Sequence, residues 1–339
     1  MSLIRIEDIA HVRFAAPDLA AMRAFLVDFG LEPFEQAGRL FGRGSDGRPF
    51  VHATQPGKAG FIALGLRAGS IADLERLAQA EGVSVEPFDA PGAGFVVRLH
   101  DPDGFLVEVV AGQDVDEPRP GGVSWLRNAV VARVRQRDLV RLESGPAHVF
   151  RIGHCVLKVS DFRRSERWYK QRFGFLTSDE IEAAPQLVIG AFLRCDRGDV
   201  PSDHHTLFLA QLPGKPGFMH AAFEVLDLDD LMLGHQHLKA RQRKAAWGVG
   251  RHIMGSQIFD YWKDPWGHEL EHWTDGDLLT AHDPPQTRTL IDLLAVQWGA
   301  PNPLFTRKLA PSPRLAASLV ATLTRLRNRF ASRSKDISA

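Results

Sequence analysis

The chain has 339 residues, 44% of them hydrophobic and 24% charged, which are the proportions of a globular protein long enough for two domains. Its 41 basic residues balance 41 acidic ones, so the net charge gives no indication of a nucleic-acid or polyanionic partner. Two cysteines are too few for a disulfide framework, no apolar run is long enough to cross a bilayer, and the first residues do not resemble a signal peptide. We therefore expect a soluble, cytoplasmic protein that does not bind a membrane.

The first predicted elements form a strand followed by a helix. Residues 11–31, HVRFAAPDLAAMRAFLVDFGL, have alternating apolar positions before Asp18 and then a helical pattern that ends at Gly30. A second strand and helix are predicted in residues 58–74, KAGFIALGLRAGSIADL. A Pro-Gly turn then leads into a short strand in residues 101–110, DPDGFLVEVV. These elements make up a predicted domain over residues 1–112.

A linker is predicted over residues 113–146. It opens with the loop-like DVDEPRPGG, and it continues with the charged stretch WLRNAVVARVRQRDLVRL, which the sequence allows to be helical. The linker separates the first domain from a region of similar pattern.

That region repeats the first domain. The blocks in residues 154–175, 215–231 and 264–273 match the three earlier blocks in order and in internal spacing. In the first block of each copy, a His is followed by an Asp seven residues later, an aromatic residue at fourteen, and a closing Phe-Gly. We interpret this as duplication, with two β-α-β-type units in each domain, an α+β fold, and a second domain over residues 147–280.

The tail, residues 281–339, is first rich in proline and then amphipathic. Its apolar residues at helical spacing are Leu315, Leu319, Leu323, Leu326 and Phe330. This pattern predicts a helix that packs on the body of the protein or on another subunit. A helix on a membrane surface is the alternative, but it lacks a second anchoring signal.

The two copies differ at the positions that matter for chemistry. The second copy has His154, His220 and Glu271 where the first has His11, Ala63 and Glu108. Two imidazoles and one carboxylate leave open positions on an octahedral ion, as Fe(II) enzymes that hold a substrate and O2 require. Because Ala63 has no donor atom, the sequence predicts a metal site in the second copy only.

Two other metal sites are less consistent with the pattern. Structural zinc more often has four ligands, commonly including Cys, and Cys155 would point to the opposite face of a strand from His154. Residues 268–272, HELEH, satisfy the H-E-x-x-H pattern of zinc proteases. That pattern needs a helix, whereas this segment is predicted to be a strand.

These residues resemble those of the type I extradiol ring-cleavage dioxygenases of the vicinal oxygen chelate superfamily, over roughly residues 5–280. The segment GRHIMGSQIFDYWKDPWGHELE carries the resemblance, with a Gly-x-His, a Tyr nine residues later, a Pro four residues after the Tyr, and the ligand Glu ten after it. The resemblance implies two domains of paired βαβββ modules. It also implies Fe(II), or Mn(II) in some members, bound in the C-terminal domain only.

The resemblance also implies the partners and the roles of three catalytic residues. The substrates would be an aromatic diol and O2, and the enzyme would be a homo-oligomer. His205, in the segment Asp203-His204-His205, would be the acid–base residue, with Tyr261 and His252 contacting the bound diol and oxygen. The segment FDYWKDPWGHELEHW resembles the branch that includes trihydroxytoluene oxygenases.

The substrate pocket is the least specified part of the prediction. Candidate pocket residues are Trp247, Met254, Asp260, Phe192 and Pro265. Asp260 and Met254 depart from the family pattern, which puts the identity of the diol in question more than the reaction. The aromatic candidates, which also include Trp262 and Phe259, have plain core packing as their alternative.

Two other functions use the same fold. A non-oxidative metalloenzyme of glyoxalase or epimerase type would share the metal, but such relatives lack the spacing of His252, Tyr261 and Glu271. A binding protein that sequesters a small molecule would need neither the metal set nor His205. The sequence therefore favours the dioxygenase.

Overall fold

The computed structural model describes residues 2–119, 126–137 and 139–303. The N-terminal part is a mixed sheet of eight strands with two helices. The elements are β1 (Ile6–Ala16), α1 (Leu19–Phe29), β2 (Glu32–Gln36), β3 (Arg39–Arg43), β4 (His52–Pro56), β5 (Gly60–Ala68), α2 (Ile71–Glu81), β6 (Glu86–Pro87), β7 (Phe95–His100) and β8 (Leu106–Ala111).

The C-terminal part repeats this plan with additions. Its elements are β9 (Val149–Lys158), α3 (Phe162–Phe173), β10 (Leu176–Ala184), β11 (Leu187–Arg194), β12 (Ser202–Asp203), β13 (Leu207–Ala210), β14 (Gly217–Val225), α4 (Leu228–Ala240), β15 (Lys244–Ala245), β16 (Gly250–His252), β17 (Ile258–Lys263), β18 (Glu269–Thr274), β19 (Leu278–Leu279), β20 (Gln286–Thr289), α5 (Leu290–Leu294) and β21 (Val296–Gly299).

Each sheet consists of two βαβββ units. The N-terminal order is β2-β3-β4-β1-β5-β8-β7-β6, and β1 and β5, the first strands of the two units, run antiparallel where the units meet. In the C-terminal sheet the corresponding order is β10-β11-β13-β9-β14-β18-β17-β16, with β9 and β14 antiparallel at the junction. The predicted α+β fold of paired modules is confirmed, whereas the residue boundaries of the domains stay predictions.

Matching residues begin and end the first helix of each domain. The side chain of Asp18 accepts a hydrogen bond from the backbone N–H of Ala21, and that of Asp161 accepts one from Arg164. The helices end at Gly30 and Gly174, whose φ angles of 93° and 72° lie in the left-handed region that glycine adopts without steric cost. The repeated Asp and Gly of the sequence therefore set the limits of these helices.

The two domains pack against each other through the end of α1. The ring of His272, on β18, stacks on Phe29 at 3.9 Å between ring centroids, and its Nε2 donates a hydrogen bond to the Phe29 carbonyl at 2.7 Å. Asp28 accepts hydrogen bonds from Arg241 and Arg243, which follow α4. These contacts hold the N-terminal domain against the back of the strand that carries Glu271.

Residues 286–299, here called the C-terminal strap, connect the two edges of the C-terminal sheet. At one edge β20 runs parallel to β10, and at the other β21 runs antiparallel to β16. Between them, Leu290 and Leu293 of α5 pack on an apolar cluster within the domain. The amphipathic helix predicted further along the tail lies outside the described residues.

The described part of the linker, residues 113–119, 126–137 and 139–146, has no helix. Ala129 and Ala132 form an isolated antiparallel bridge there, so the helix that the sequence allowed is wrong for these residues. No helix among the described residues is long and apolar enough to cross a membrane.

Candidate metal centre

The site lies on one transverse row of the C-terminal sheet. Pairing places Tyr261 opposite Glu271, Glu271 opposite Ala222, and Ala222 opposite His154. Side chains in register on adjacent strands point to the same face of a sheet. Because Ala222 on the middle strand is small, the longer side chains of His154 and Glu271 reach each other above it, with 3.3 Å between His154 Nε2 and Glu271 Oε2.

His220 completes the set from the middle strand. It lies two residues before Ala222 on β14 and therefore on the same face. Its Nε2 is 3.3 Å from Glu271 Oε2. One ligand atom from each of His154, His220 and Glu271 lies within 4.8 Å of the other two. The structure thus brings together the three residues that the sequence predicted as ligands.

The carboxylate of Glu271 lies 3.3 Å from two imidazole nitrogens but accepts no hydrogen bond from the described residues. The side chain is fully buried, yet among the described residues neither of its oxygens accepts a hydrogen bond. Burial raises the pKa of Glu271, but the imidazoles of His154, His220 and His252 outweigh it and hold the pKa well below its usual range. A buried, ionised carboxylate that accepts no hydrogen bond and lies between two imidazoles suits a divalent cation that accepts N and O ligands, such as Fe(II) or Mn(II).

His154 has the protonation state that a ligand needs. Burial lowers its pKa, and Glu271 opposes this effect only in part. The imidazole is therefore neutral near pH 7, with a lone pair available for a metal. The residues present fit the predicted ion.

The N-terminal domain has two residues of the corresponding set, a His and a Glu, but not the third. His11 Nε2 lies 3.0 Å from Glu108 Oε2, above Gly65, in the same arrangement as His154, Ala222 and Glu271. Ala63 stands at the position of His220, as the sequence comparison indicated. One of the three positions in the N-terminal domain therefore has no donor atom for a metal.

Two arginines fill the space instead. Arg13, at the position of Val156, donates a hydrogen bond to Glu108 Oε1 at 2.6 Å, and Arg98, at the position of Tyr261, donates one at 3.0 Å. Burial raises the pKa of Glu108, but the hydrogen bond and charge of His11 and the two guanidinium groups lower it to about 2. A protein cation thus neutralises this carboxylate.

Replacing Glu108 with Gln is expected to give a pH-dependent loss of stability. A pKa depressed from 4.5 to about 2 contributes stability that is fully present above the unfolded-state value and is lost as the pH falls through the folded-state value. We expect Glu108→Gln to cost about 3 kcal/mol near neutral pH, and the deficit to shrink between about pH 4.5 and pH 2. Urea unfolding at a series of pH values measures it, with Glu35→Gln, an exposed position, as the control. A deficit that stays constant down to pH 3 would contradict the assignment.

His205 lies beside the ligands. Its ring centroid is 4.0 Å from that of His154, and the ring is buried. Burial lowers its pKa well below the usual value, and His154 and His204 lower it further, so the ring is neutral near pH 7. Its Nδ1 lies 3.1 Å from His204 Nδ1, whereas its Nε2 has no hydrogen-bond partner among the described residues. Nε2 is therefore the ring nitrogen of His205 that is not engaged by another described residue.

Tyr261 and His252 form the other side of the site. The Tyr261 hydroxyl is 3.1 Å from His252 Nε2, and His252 Nε2 is 3.8 Å from Glu271 Oε1. Burial and the neighbouring Glu271 raise the pKa of Tyr261 well above 10, so the phenol keeps its proton. The ring of Trp247 stacks on Tyr261 at 5.4 Å, and Phe259 stacks on His252 at 4.1 Å.

The structure brings three of the five candidate pocket residues toward this cluster. Trp247 contacts Tyr261 and His252, the ring of Phe192 is 4.7 Å from that of His205, and Met254 belongs to the same apolar cluster as Phe192. Asp260 instead lies on the opposite face of β17 from Tyr261, with its side chain bonded to His235 and Trp262. Strand alternation predicts this, because Asp260 is adjacent to Tyr261.

Pro265 is not at the cluster either. It is exposed, in the turn that joins β17 to β18. Trp262, named as an aromatic wall or a core residue, is a core residue. The H-E-x-x-H segment falls on β18 and its turn, so it has strand geometry and not the helix that a zinc protease needs.

Two features were not found from the sequence. The apolar cluster beside the site includes Val156 and Phe208 as well as Phe192 and Met254. Val156 could have been found, because it is two residues after His154 on the same strand. Asp179, which binds His204, has no motif that marks it.

Comparison with known proteins agrees with this site. Residues 151–272 match the model of the Glyoxalase/Bleomycin resistance protein/Dioxygenase superfamily. The chain is 28% identical over 287 residues to Metapyrocatechase 2 of Cupriavidus necator, an alignment that covers 81% of this chain and 83% of that protein. It is 25% identical over 295 residues to an iron-dependent extradiol dioxygenase of Rhodococcus jostii, covering 80% and 90%.

A solved structure is similar in fold over most of its length. The Mn(II)-bound glyoxalase from Novosphingobium aromaticivorans superposes with a TM-score of 0.72 at 26% identity, covering 88% of this chain and 93% of that one. The family recognised from the sequence is confirmed: residues 151–272 belong to the Glyoxalase/Bleomycin resistance protein/Dioxygenase superfamily, in a chain whose relatives include extradiol dioxygenases.

Proposed function

We propose that this chain is an Fe(II)-dependent extradiol dioxygenase that opens the ring of a catechol-type or trihydroxylated aromatic with O2. The observation that carries the proposal is the buried Glu271, which lacks a hydrogen-bond partner among the described residues and lies between His154 and His220. A neutral, buried His205 adjoins this set, as proton transfer from a diol requires. The names of the relatives support the same reaction.

His154, His220 and Glu271 would hold the iron. When bound, Fe(II) supplies adjacent open positions for the diol and O2 and allows electrons to pass between them. Two imidazoles and one carboxylate leave a net positive charge, which favours an ionised diol oxygen close to these ligands. Mn(II) accepts the same donor set.

The chain's own residues then position the diol and move its protons. His205 takes a proton from a diol hydroxyl at Nε2 and returns it later in the reaction, because a neutral imidazole can do both near pH 7. Tyr261, whose phenol keeps its proton, donates a hydrogen bond toward a substrate oxygen, and His252 orients that hydroxyl. Trp247, Phe192 and Met254 would contact the ring and exclude water.

Tyr261→Phe tests the hydroxyl without removing the ring. We expect iron content to be unchanged and kcat to fall roughly 10–100-fold, the effect of losing one hydrogen bond to a charged substrate group. Steady-state O2 uptake measures kcat, with Tyr169→Phe as a buried tyrosine control. Tyr169 is on α3 and donates its hydroxyl to Asp101. Equal losses in the two variants would contradict a specific role for Tyr261.

The first experiment is O2 uptake by Fe(II)-reconstituted protein against a panel of catechols and trihydroxybenzenes, with absorbance followed from the ultraviolet to the visible. Uptake of one O2 per diol with a ring-opened product supports the proposal. No uptake across the panel, with iron shown to be bound, would overturn it. The same protein without added metal is the control.

A non-oxidative metalloenzyme is the second candidate. It is favoured by the likeness to the Mn(II)-bound glyoxalase, which covers most of both chains. In that case His205 would shuttle a proton between two carbons of one substrate and O2 would not be consumed. Turnover of a thiohemiacetal under strictly anaerobic conditions, with Mn(II) added, separates this candidate from the dioxygenase.

We further propose that the enzyme is a cytoplasmic homo-oligomer. The two cysteines, Cys155 and Cys195, are buried free thiols, as a reducing compartment allows. Light scattering coupled to size exclusion measures the mass in solution. A monomer at micromolar concentration would contradict this part of the proposal.

A further inference from the structure

His204 precedes the acid–base residue, and its orientation is fixed at every polar atom. Its backbone N–H donates to the Asp277 carbonyl at 2.9 Å, and its own carbonyl accepts from Ser178 Oγ at 2.6 Å. Its ring nitrogens lie 2.7 Å from Asp179 Oδ2 and 3.1 Å from His205 Nδ1. A histidine held at four atoms has one orientation available to it.

The surroundings keep water away from this chain of groups. Asp179, His204 and His205 are all buried, at 6%, 4% and 4% exposure. The ring of Phe192 lies against both imidazoles, and a Cβ atom on Gly255, whose φ is 70°, would lie only 2.9 Å from His204 Nδ1. The three groups are therefore almost wholly out of contact with solvent and lie within hydrogen-bond distance of one another.

The donor and the acceptor of each hydrogen bond in this series can be assigned by starting from the carboxylate of Asp179. An ionised Asp179 can only accept, so His204 donates from Nε2. With a single ring proton, on Nε2, His204 carries a lone pair on Nδ1 and accepts there. His205 must then donate from Nδ1, which leaves the lone pair of a neutral His205 on Nε2.

We propose that Asp179 and His204 are positioning residues that fix His205 with its proton on Nδ1 and its basic nitrogen, Nε2, free to act on the diol. This inference rests on the proposed function. The acid–base role of His205 requires a lone pair on Nε2, and the inference states which residues keep it there. The observation behind this proposal is the hydrogen-bonded series Asp179–His204–His205. A neutral His205 with the other tautomer would present an N–H where a base is needed.

Asp179→Asn is the variant that is expected to reverse the direction of the hydrogen bonds from residue 179 to His205. Arg288 Nε lies 3.8 Å from Asp179 Oδ1, so an asparagine is favoured to keep its oxygen toward Arg288 and to direct its NH2 group at His204. His204 Nε2 then becomes an acceptor, its proton moves to Nδ1, and His205 must accept at Nδ1. The expected result is transfer of the His205 proton from Nδ1 to Nε2.

The tautomer is measured directly by long-range 1H–15N correlation spectra of 15N-histidine protein loaded with Zn(II), which is diamagnetic. The His205 signals are assigned by their loss in His205→Ala. An Nδ1-protonated His205 in the unsubstituted protein, changed to the Nε2-protonated form in Asp179→Asn, is the expected result. A His205 protonated on Nε2 in the unsubstituted protein, or a His204 that carries both ring protons, overturns the proposal even if the variant fails to fold.

Activity gives a second readout. In the Fe(II)-loaded enzyme, Asp179→Asn is expected to lower kcat by roughly 10²–10⁴-fold with KM and iron content little changed. The double variant Asp179→Asn/His205→Ala should be no slower than His205→Ala alone. His148→Gln is the matched control, because His148 also lies 2.7 Å from an aspartate, Asp230, and is not part of the site.

The two proposals fail in different ways. An unsubstituted enzyme that consumes no O2 refutes the proposed function, and the spectra still decide the tautomer of His205. An active enzyme whose His205 has the same tautomer with and without Asp179 refutes this inference alone. Equal kcat losses in Asp179→Asn and His148→Gln would also overturn it, because they would indicate a general structural effect.

Discussion

His154→Ala is expected to leave a folded protein that cannot retain iron and has no measurable ring-cleavage activity. The ligand set has only three protein groups, and His154 is the buried imidazole that reaches Glu271 across Ala222. Removing it leaves one imidazole and a carboxylate, too few for tight binding of Fe(II). After reconstitution and desalting, iron should fall from about one ion per chain to near zero. Metal analysis and O2 uptake on the same sample measure the two effects.

The duplicated fold provides the matched control. His11 occupies the same position in the N-terminal domain and is also buried beside a glutamate, Glu108. We expect His11→Ala to cost about 1–3 kcal/mol of stability, the effect of removing one buried hydrogen bond, while iron content and turnover stay near those of the unsubstituted enzyme. Loss of iron in both variants would mean that general unfolding, and not ligation, explains the result for His154→Ala.

The three candidate ligands were predictable because the chain contains its own comparison. Corresponding blocks of the two copies align His11 with His154, and strand pairing places both in equivalent registers. The difference at Ala63 and His220 then marks the domain that binds metal. Period-2 alternation was enough to place Cys155 on the opposite face of β9 and to exclude the protease interpretation.

The two arginines that bond Glu108 in the N-terminal domain could not be predicted in the same way. Arg13 and Arg98 are far apart in the sequence; Arg98 reaches Glu108 from the adjacent strand β7, whereas Arg13 reaches it from β1, across β5. Which residues flank a carboxylate depends on strand order, and a single sequence does not specify it. The same limit applies to Asp179, which lies 25 residues before its partner His204.

The pocket was the weakest prediction, for a physical reason. A pocket wall and a core residue have the same apolar character, so Phe192 and Trp262 could not be distinguished before their strands were placed. Asp260 was included because of its place in a motif, although it alternates with Tyr261 along the strand. Leu290 and Leu293 pack on the apolar cluster from the C-terminal strap, which no repeat in the sequence could have indicated.

His205→Ala is expected to separate chemistry from metal binding. His205 is not one of the three proposed ligands, so iron content should change little, whereas kcat should fall by about 10²–10⁴-fold, the usual range for loss of a general acid–base group. His52→Ala is the control for truncating a buried histidine, because His52 is at least as buried but lies in the N-terminal domain. Stopped-flow and steady-state O2 uptake on iron-matched samples measure kcat. A His205→Ala enzyme as active as His52→Ala would show that protons reach the diol by another route, and would remove both the assigned role of His205 and the reason for fixing its tautomer.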